Sequence, residues 1–470
     1  MGEAAWINPL RAHVNQIAAQ HQIPGLALAV ARDGETVFAE GFGFRDVDQQ
    51  LPVTPETVFG CASVTKSFTA LAIMQLADAG RLSVDDPVIK WLPEFKVPHS
   101  DWGQRITLHH FLTHTSGLPG MKAIYHARAG SIRQDPNAER LKVAYDPTHI
   151  ALIETYEDLM TLMAEAEYEL LGAPGSYFNY SNEGYGLLQG VIERASGLPF
   201  LRYMQERVLG PLGMEHSTFL TANLERFPEV TELYGSAIEE GRKAVFHAPV
   251  WWDVAGIYTN GSLKSNVVDL LKYLEVYRCG GIAGGERILS AESVRKMTTP
   301  HVTLPTGRRY GYGLDVNPDY HGVTLVGHSG GIKGVSAHIS VATEAGITAA
   351  ALANLQNVPA DQATLAATNA LLGLPLAERK QAYPEAPVAP AQLAQYAGLY
   401  QSAEGGAARV HFRENRLWLE QMGQTLPTRP YAEDGVVTLD GLLPMRFLRR
   451  ESGELFGLFL GSRILLRHNV

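Results

Sequence analysis

The chain has 470 residues, too many for one ordinary domain, so two or three are expected. A formal net charge of −10 argues against nucleic acid or an anionic membrane as a partner, and 46% hydrophobic residues can build a large core. The two cysteines, Cys61 and Cys279, make no disulfide framework and fit a reducing compartment.

Leu10, Val14, Ile17 and Ala18 recur at helical spacing over residues 8–20, and Pro24-Gly25 ends that helix. Leu26 to Ala31 reads as a buried strand, Asp33-Gly34 as a hairpin turn and Val37 to Gly43 as the returning strand. Thr57-Val58-Phe59 is extended. Ser67 to Ala79 is helical, with Phe68, Leu71, Ala72, Leu76 and Ala79 as an apolar stripe and Gly80 as a C-cap. Ser63 stands at the junction of the two, and Lys66 follows three residues later. That spacing puts both on one helix face, about 5–6 Å apart at Cβ, so the amine can reach back to the hydroxyl. A helix start also offers free N–H groups and a positive dipole end. One turn of chain could therefore hold nucleophile, proton acceptor and oxyanion donor. Cys61 beside it has no His/Asn pattern to activate it and reads as a small buried residue. A second Ser-x-x-Lys, Ser293 to Lys296, sits among Glu292 and Arg295 and reads as a solvated helix face.

Asp85-Asp86-Pro87 opens a short helix ending near Leu92. His110 and His114 then stand at metal-ligand spacing on a helix, but no Glu follows the first and no third ligand is evident. Packed or capping histidines are expected there, and no metal. Residues 119–150 mix Pro, Gly, Arg, Tyr and Asp, and an acidic helix runs from about Tyr156 to Leu171; together, 119–172 read as an inserted lid or wall. Pro174 to Asn182 turn into a buried helix carrying Tyr185, Leu187, Leu188, Val191 and Ile192. Two Tyr-x-Asn frames lie in that turn, Tyr177/Asn179 and Tyr180/Asn182, the second nearer the helix start. Asn266 opens a further helix with Asp269 in its first turn. Tyr310 to Asp315, Val323 to Val326, Ser336 to Val341 and Ile347 to Leu355 read as strands, and Thr364 to Leu372 as a helix. Pro375, Pro384, Pro387 and Pro390 mark a linker over 374–392. Residues 393–470 alternate polar and apolar at hairpin spacing, which suggests a small antiparallel barrel or sandwich.

Ser63-x-x-Lys66, Tyr180-x-Asn182 and His328-Ser329-Gly330 occur in this order, with Leu108-x-x-Phe-Leu-Thr-His-Thr-Ser-Gly-Leu118, Pro174-Gly175, Pro211-Leu-Gly-Met214 and Gly327-His-Ser-Gly-Gly331 around them. The set resembles the serine β-lactamase and penicillin-binding-protein superfamily over roughly residues 10–370, and most closely its class C-like branch of D-aminopeptidases, carboxylesterases and peptidases. The tail is similar to the lipocalin-like appendage of some of those peptidases. The resemblance implies an α+β fold: an antiparallel sheet flanked by helices with an all-helical lobe at roughly 80–255, together forming a hydrolase domain over 1–373, then the linker and a C-terminal β-barrel over 393–470. It implies that Ser63 forms an acyl-enzyme and that Lys66 and Tyr180 share the proton work, each lowering the other's pKa as a cation stabilises a phenolate. Asn182 would orient Lys66 and the substrate amide, and the backbone N–H groups of Ser63 and Gly331 would hold the oxyanion. His328, Ser329 and Gly330 would bind substrate. Many members have Lys-Thr-Gly there; a largely neutral His328 attracts a substrate carboxylate less, which leans away from β-lactams toward other amides or esters.

Two rival readings remain. Gly327-x-Ser329-x-Gly331 matches the nucleophile elbow of an α/β-hydrolase, but an elbow must run straight into a helix, and Ile332 onward reads as a strand. A non-catalytic binding or sensor module on the same fold would not need Ser63, Lys66, Tyr180 and Asn182 together. The expectation is a cytoplasmic serine hydrolase of a small molecule or short peptide, without cofactor, nucleic-acid or membrane partner, and with homo-oligomerisation left open. The N-terminus lacks the basic and apolar stretches of a secretory leader.

Overall fold

The computed structural model describes residues 5–141, 150–379, 383–421 and 423–468. Residues 142–149 of the expected lid and 380–382 of the expected linker lie outside them. Helix α1 (Ile7–His21) buries Leu10, Val14 and Ile17, the stripe its spacing demands. β1 (Gly25–Arg32) and β2 (Glu35–Asp46) form the expected hairpin. Helix α2 (Thr65–Asp78) is buried almost all round, and α3 (Ala123–Arg133), α4 (Tyr156–Glu165) and α5 (Asn182–Ser196) belong to the segment between the two parts of the sheet. That segment also contains a β-hairpin, Tyr234–Glu239 with Arg242–His247. Helix α6 (Val267–Arg278) follows, capped by Asn266, which accepts from the Asp269 N–H. Then come β3 (Asp315–Tyr320), β4 (Val323–Ile332), β5 (Val335–Ala342), β6 (Ile347–Ala353) and α7 (Ala360–Leu372).

Among the described residues these strands make a nine-stranded sheet. Two short strands at one edge lead into β3-β4-β5-β6-β1-β2, with a short strand at the other edge, and every pairing is antiparallel. The period-two rule explains its position. On β1, Ala27, Ala29 and Ala31 join the core that holds α2 and α6, while Leu26, Leu28 and Val30 join the core that holds α1 and α7. A strand buried on both faces reads as a continuous apolar run, as this one does. The expected strand from Tyr310 to Asp315 is interrupted. Pairing covers Arg309–Tyr310 and resumes at Asp315. Between them Gly313 adopts φ +69° and passes over the start of α2, where a Cβ would stand 2.9 Å from the Lys66 carbonyl oxygen.

Among the described residues, eight strands between Gly398 and His468 close into an antiparallel barrel, ending in β7 (Leu455–Leu460) and β8 (Arg463–His468). Tyr400, Leu417, Leu419, Phe447 and Leu458 fill it. Phe456, Phe459 and Ile464 of the last hairpin instead pack on Phe178, Tyr310, Leu304 and Leu171, which fastens the barrel beside the start of α5. Among the described residues, no helix is long and apolar enough to cross a membrane.

The turn from β4 to β5 is fastened differently. Lys333 there is buried, donates to the carbonyls of Ala248 and Val250, and pairs at 3.2 Å with Asp135, which also accepts from the Trp252 indole. Removing one partner of a buried pair strands the other's charge and costs about 3–5 kcal/mol. Lys333→Met is expected to lower the thermal unfolding midpoint clearly, and Lys333→Met/Asp135→Asn to recover part of the loss. An unchanged midpoint in the single variant would show that the pair does not fasten this turn.

Candidate active site

Ser63 lies in a single 3-10 turn, Ala62–Val64, that runs directly into α2. Ala62 holds φ +44°, the left-handed region that costs an L-residue about 1–2 kcal/mol. The Thr65 hydroxyl braces this turn, donating to the Ala62 carbonyl at 2.6 Å and accepting from the Leu263 N–H at 3.0 Å. Lys66 points back beneath the turn and is fully buried. Its Nζ lies 3.3 Å from Ser63 Oγ, 2.9 Å from Asn182 Oδ1 and 2.7 Å from the Asn260 carbonyl oxygen. The last two can only accept, so they take two N–H bonds and leave the third direction for the serine. Burial pushes the Lys66 pKa well below its ordinary range, and the positive charges of Arg463 and Arg128 push it further; Glu183 and Glu404 oppose them. The free amine is thus favoured, with its lone pair toward Ser63.

Tyr180 comes from the loop before α5, whose N-cap Ser181 accepts from the Gly184 N–H. The Lys66 Nζ is 4.8 Å from the Tyr180 ring centroid, and the Tyr180 hydroxyl is buried without a hydrogen-bond partner among the described residues. Burial raises the Tyr180 pKa well above that of a free phenol; Ser63 and Arg463 offset this only in part. The expectation that Lys66 and Tyr180 depress each other's pKa is therefore corrected. Desolvation dominates both groups and drives them in opposite directions, toward neutral amine and neutral phenol.

The expected histidine pair is also placed differently. The helix ends at Leu112, and His114, at φ +58°, swings out of it. Its ring stacks on Tyr180 at 4.1 Å, and its Nδ1 accepts from the Ser181 N–H at 3.0 Å. His110 caps its own helix through Thr107. Among the described residues, no cluster of three or more His, Cys, Asp or Glu side chains could hold a metal. Cys61 is fully buried with its thiol pKa raised, as a packing residue should be. The second serine–lysine pair does not meet: Ser293 is buried, not solvated, and donates to Asp78 at 2.6 Å, while exposed Lys296 pairs with Glu292.

β4 forms the opposite wall. It continues through Gly330 and Gly331 to Ile332 and turns at Lys333-Gly334 into β5, so the strand-to-helix turn that an elbow at Ser329 needs is not formed. Gly330 is seated directly behind the nucleophile: a Cβ there would stand 2.2 Å from the Cys61 carbonyl oxygen and 3.1 Å from Ser63 N. Burial lowers the His328 pKa to about 4, so the ring is neutral. Its Nδ1–H donates to the Ser329 carbonyl at 2.6 Å, which leaves Nε2 to accept from the Tyr310 hydroxyl at 3.1 Å. Ser63, Tyr180, Asn182, His328, Ser329 and Gly331 all line one cavity of about 530 Å3, a size that suits a small ligand. Lys66 lies below it and Gly330 behind it.

Among the cavity groups that escaped the reading of the sequence are Tyr125, Arg128, Asn260, Arg308, Asp315, Glu404 and Arg463. Asn260-Gly261 is a turn dipeptide and could have been flagged as a loop facing the site. Arg308 and Asp315 pair at 2.6 Å across the interrupted edge strand, and Arg463 and Glu404 pair at 2.6 Å on the barrel. No local pattern announces either pair.

The Beta-lactamase family profile matches residues 10–374. Penicillin-binding protein 4* of Bacillus subtilis (strain 168) is 27% identical over 427 residues, which are 86% of this chain and 85% of that protein. Esterase EstB of Burkholderia gladioli is 34% identical over 284 residues, 57% of this chain and 69% of the esterase. The octameric penicillin-binding protein homologue from Pyrococcus abyssi has a structure that matches at a TM-score of 0.70 and 30% identity, covering 98% of this chain and 100% of that one.

Gly330 gives a direct check on the geometry. Gly330→Ala must push β4 away from the Ser63 turn, and an ångström of misplacement costs about 100-fold in rate. Labelling of Ser63 by a fluorophosphonate is expected to slow by about that factor with the fold intact. Labelling at the wild-type rate would contradict the close seating.

Proposed function

This chain belongs to the Beta-lactamase family and is a serine hydrolase, and from that premise we propose that it cleaves an amide (peptide) or ester bond through an acyl-enzyme on Ser63. The observation that carries this reading is the Lys66 amine, dry and held toward Ser63 Oγ by Asn182 and Asn260. In acylation the Ser63 proton passes to the Lys66 lone pair as Oγ attacks the carbonyl carbon. The oxyanion is held by the N–H groups of Ser63 and Gly331. Tyr180, kept as a phenol and with its hydroxyl otherwise unpartnered, hands a proton to the departing nitrogen or oxygen and is reprotonated from Lys66. Water then attacks the acyl carbon by the reverse sequence and frees Ser63. Asn182 serves the amine and the substrate amide; neutral His328, with Ser329 and Gly330, forms the wall along which the substrate lies.

The substrate is a small molecule or short peptide. Arg308 and Arg463 are each paired with a carboxylate, and Arg128 lines the same cavity. The hydrolase unit is assigned to residues 1–373, the linker to 374–392 and the barrel to 393–470. Two free cysteines suit the cytoplasm. The octameric state of the Pyrococcus homologue favours self-association of this chain as well.

Ser63→Ala is expected to lower hydrolysis of a p-nitrophenyl ester by about 10⁴-fold or more and to abolish covalent labelling, while Ser329→Ala only weakens both. The opposite pattern would move the nucleophile to Ser329. With an active enzyme in hand, a panel of D- and L-aminoacyl amides, short esters and nitrocefin selects the substrate class. Loss of the base form of Lys66 also fixes the sign of the pH dependence. kcat/KM falls as pH drops through the depressed Lys66 pKa, and activity at neutral pH exceeds what a lysine of ordinary pKa would permit.

A further inference from the structure

The turn between β7 and β8 reaches from the barrel into the hydrolase unit, and both chain neighbours of Arg463 are tied to the loop that carries Tyr180. The Ser462 carbonyl accepts from the Tyr180 N–H at 3.0 Å. The Ile464 N–H donates to Asn179 Oδ1 at 2.8 Å, and Asn179 is itself fixed by donating to the Leu118 carbonyl at 2.9 Å. Between these clamps the Arg463 guanidinium lies 4.6 Å from the centroid of the Tyr180 ring. It is held from behind by Glu404, with contacts of 2.6 and 3.2 Å. Glu404 is wedged against Gly120, where a Cβ would stand 2.9 Å from its Oε2. Arg463 and Glu404 also line the cavity. A surface ion pair would not be clamped at both neighbours and desolvated against an aromatic ring.

We propose that Arg463, held by Glu404, is a positioning residue that the barrel lends to the active site, setting a fixed positive charge against the Tyr180 ring that Lys66 also faces. The inference rests on the reading of Lys66 as the base that activates Ser63. A cation held there disfavours a second positive charge on Lys66 and so keeps its lone pair available. It also fixes the ring whose hydroxyl must meet the leaving group. The charges facing Lys66 and Tyr180 are Arg128 on α3, Asp315 on β3, and Arg463 and Glu404 on the barrel, while burial raises the pKa of the Glu183 carboxyl on α5 and favours its neutral form. His114, Tyr185, Tyr310 and His328 complete the titratable surroundings, with both imidazoles held neutral by burial. Arg463 and Glu404 act with opposite signs on the same amine, and that separates a charge effect from a packing effect.

The test is the pH profile of kcat/KM on an uncharged p-nitrophenyl ester, so that no substrate carboxylate is involved. Arg463→Gln is expected to move the acid limb upward by about one pH unit, an approximately tenfold loss on that limb. Glu404→Gln is expected to move it downward, and Arg463→Lys to stay near wild type. Thermal unfolding of each variant identifies any that fails to fold. For such a variant, the remaining members of the set decide. A limb that does not move in Arg463→Gln, or that moves the same way in both Gln variants, overturns the proposal, as does a uniform loss at every pH that Arg463→Lys fails to restore. If Ser63→Ala keeps its activity, the underlying reading of the site has failed instead.

Discussion

A lysine with none of its surface in water is the constraint around which this molecule is built. A buried ammonium needs either a counter-charge or a full set of acceptors, and an amine deprived of both gives up its proton. Lys66 has two fixed acceptors, the Asn260 carbonyl and Asn182 Oδ1; burial is the main force against its charge, Arg463 and Arg128 add to it, and Glu183 and Glu404 oppose it. Its remaining direction faces the Ser63 hydroxyl. The same dryness acts with the opposite consequence on Tyr180, which is kept as a phenol. A base and an acid therefore stand beside one serine at the same pH, distinguished only by what burial does to a cation and to an anion.

That dryness is a product of the whole fold. α2 is enclosed because the strands behind it present alanines on the facing side and because Gly313 passes over its start with no side chain between, while β4 meets the Ser63 turn through Gly330. The strained Ala62 and the bracing Thr65 lift Ser63 out of the helix while leaving Lys66 inside it. The N-cap at Ser181 fixes where α5 begins, and with it Tyr180 on one side and Asn182 on the other. The barrel completes the enclosure from a distant part of the chain, through the apolar seam of Phe178 with Phe459 and the hydrogen bonds to Asn179 and Tyr180.

What could be read in the sequence follows from how local each signal is. Ser63 and Lys66 share one helical turn, so their meeting was legible from spacing alone. Tyr180 and Asn182 were placed by a helix start and a family pattern. The two-faced burial of β1 and the hairpins of the tail were legible from period-two alternation. Failures occurred where a single residue with positive φ redirects the chain: at Gly313, which interrupts the expected strand, and at His114, which leaves its helix and becomes a stacking partner of Tyr180. The Lys66–Tyr180 electrostatics were misjudged because pairwise attraction was weighed without desolvation, which only the folded enclosure reveals. Arg463 and Glu404 were out of reach because they lie more than 200 residues of chain beyond Tyr180, and nothing in an alternating barrel sequence marks one turn as entering a remote cavity.

Activation of Ser63 turns on the protonation state of Lys66, and side-chain NMR of the lysines in the intact protein reads it directly, with Lys66→Gln identifying the resonance. That resonance is expected to carry the free-amine shift at mildly alkaline pH, and to titrate well below the exposed lysines. A Lys66 signal that stays ammonium until the exposed lysines deprotonate would contradict it.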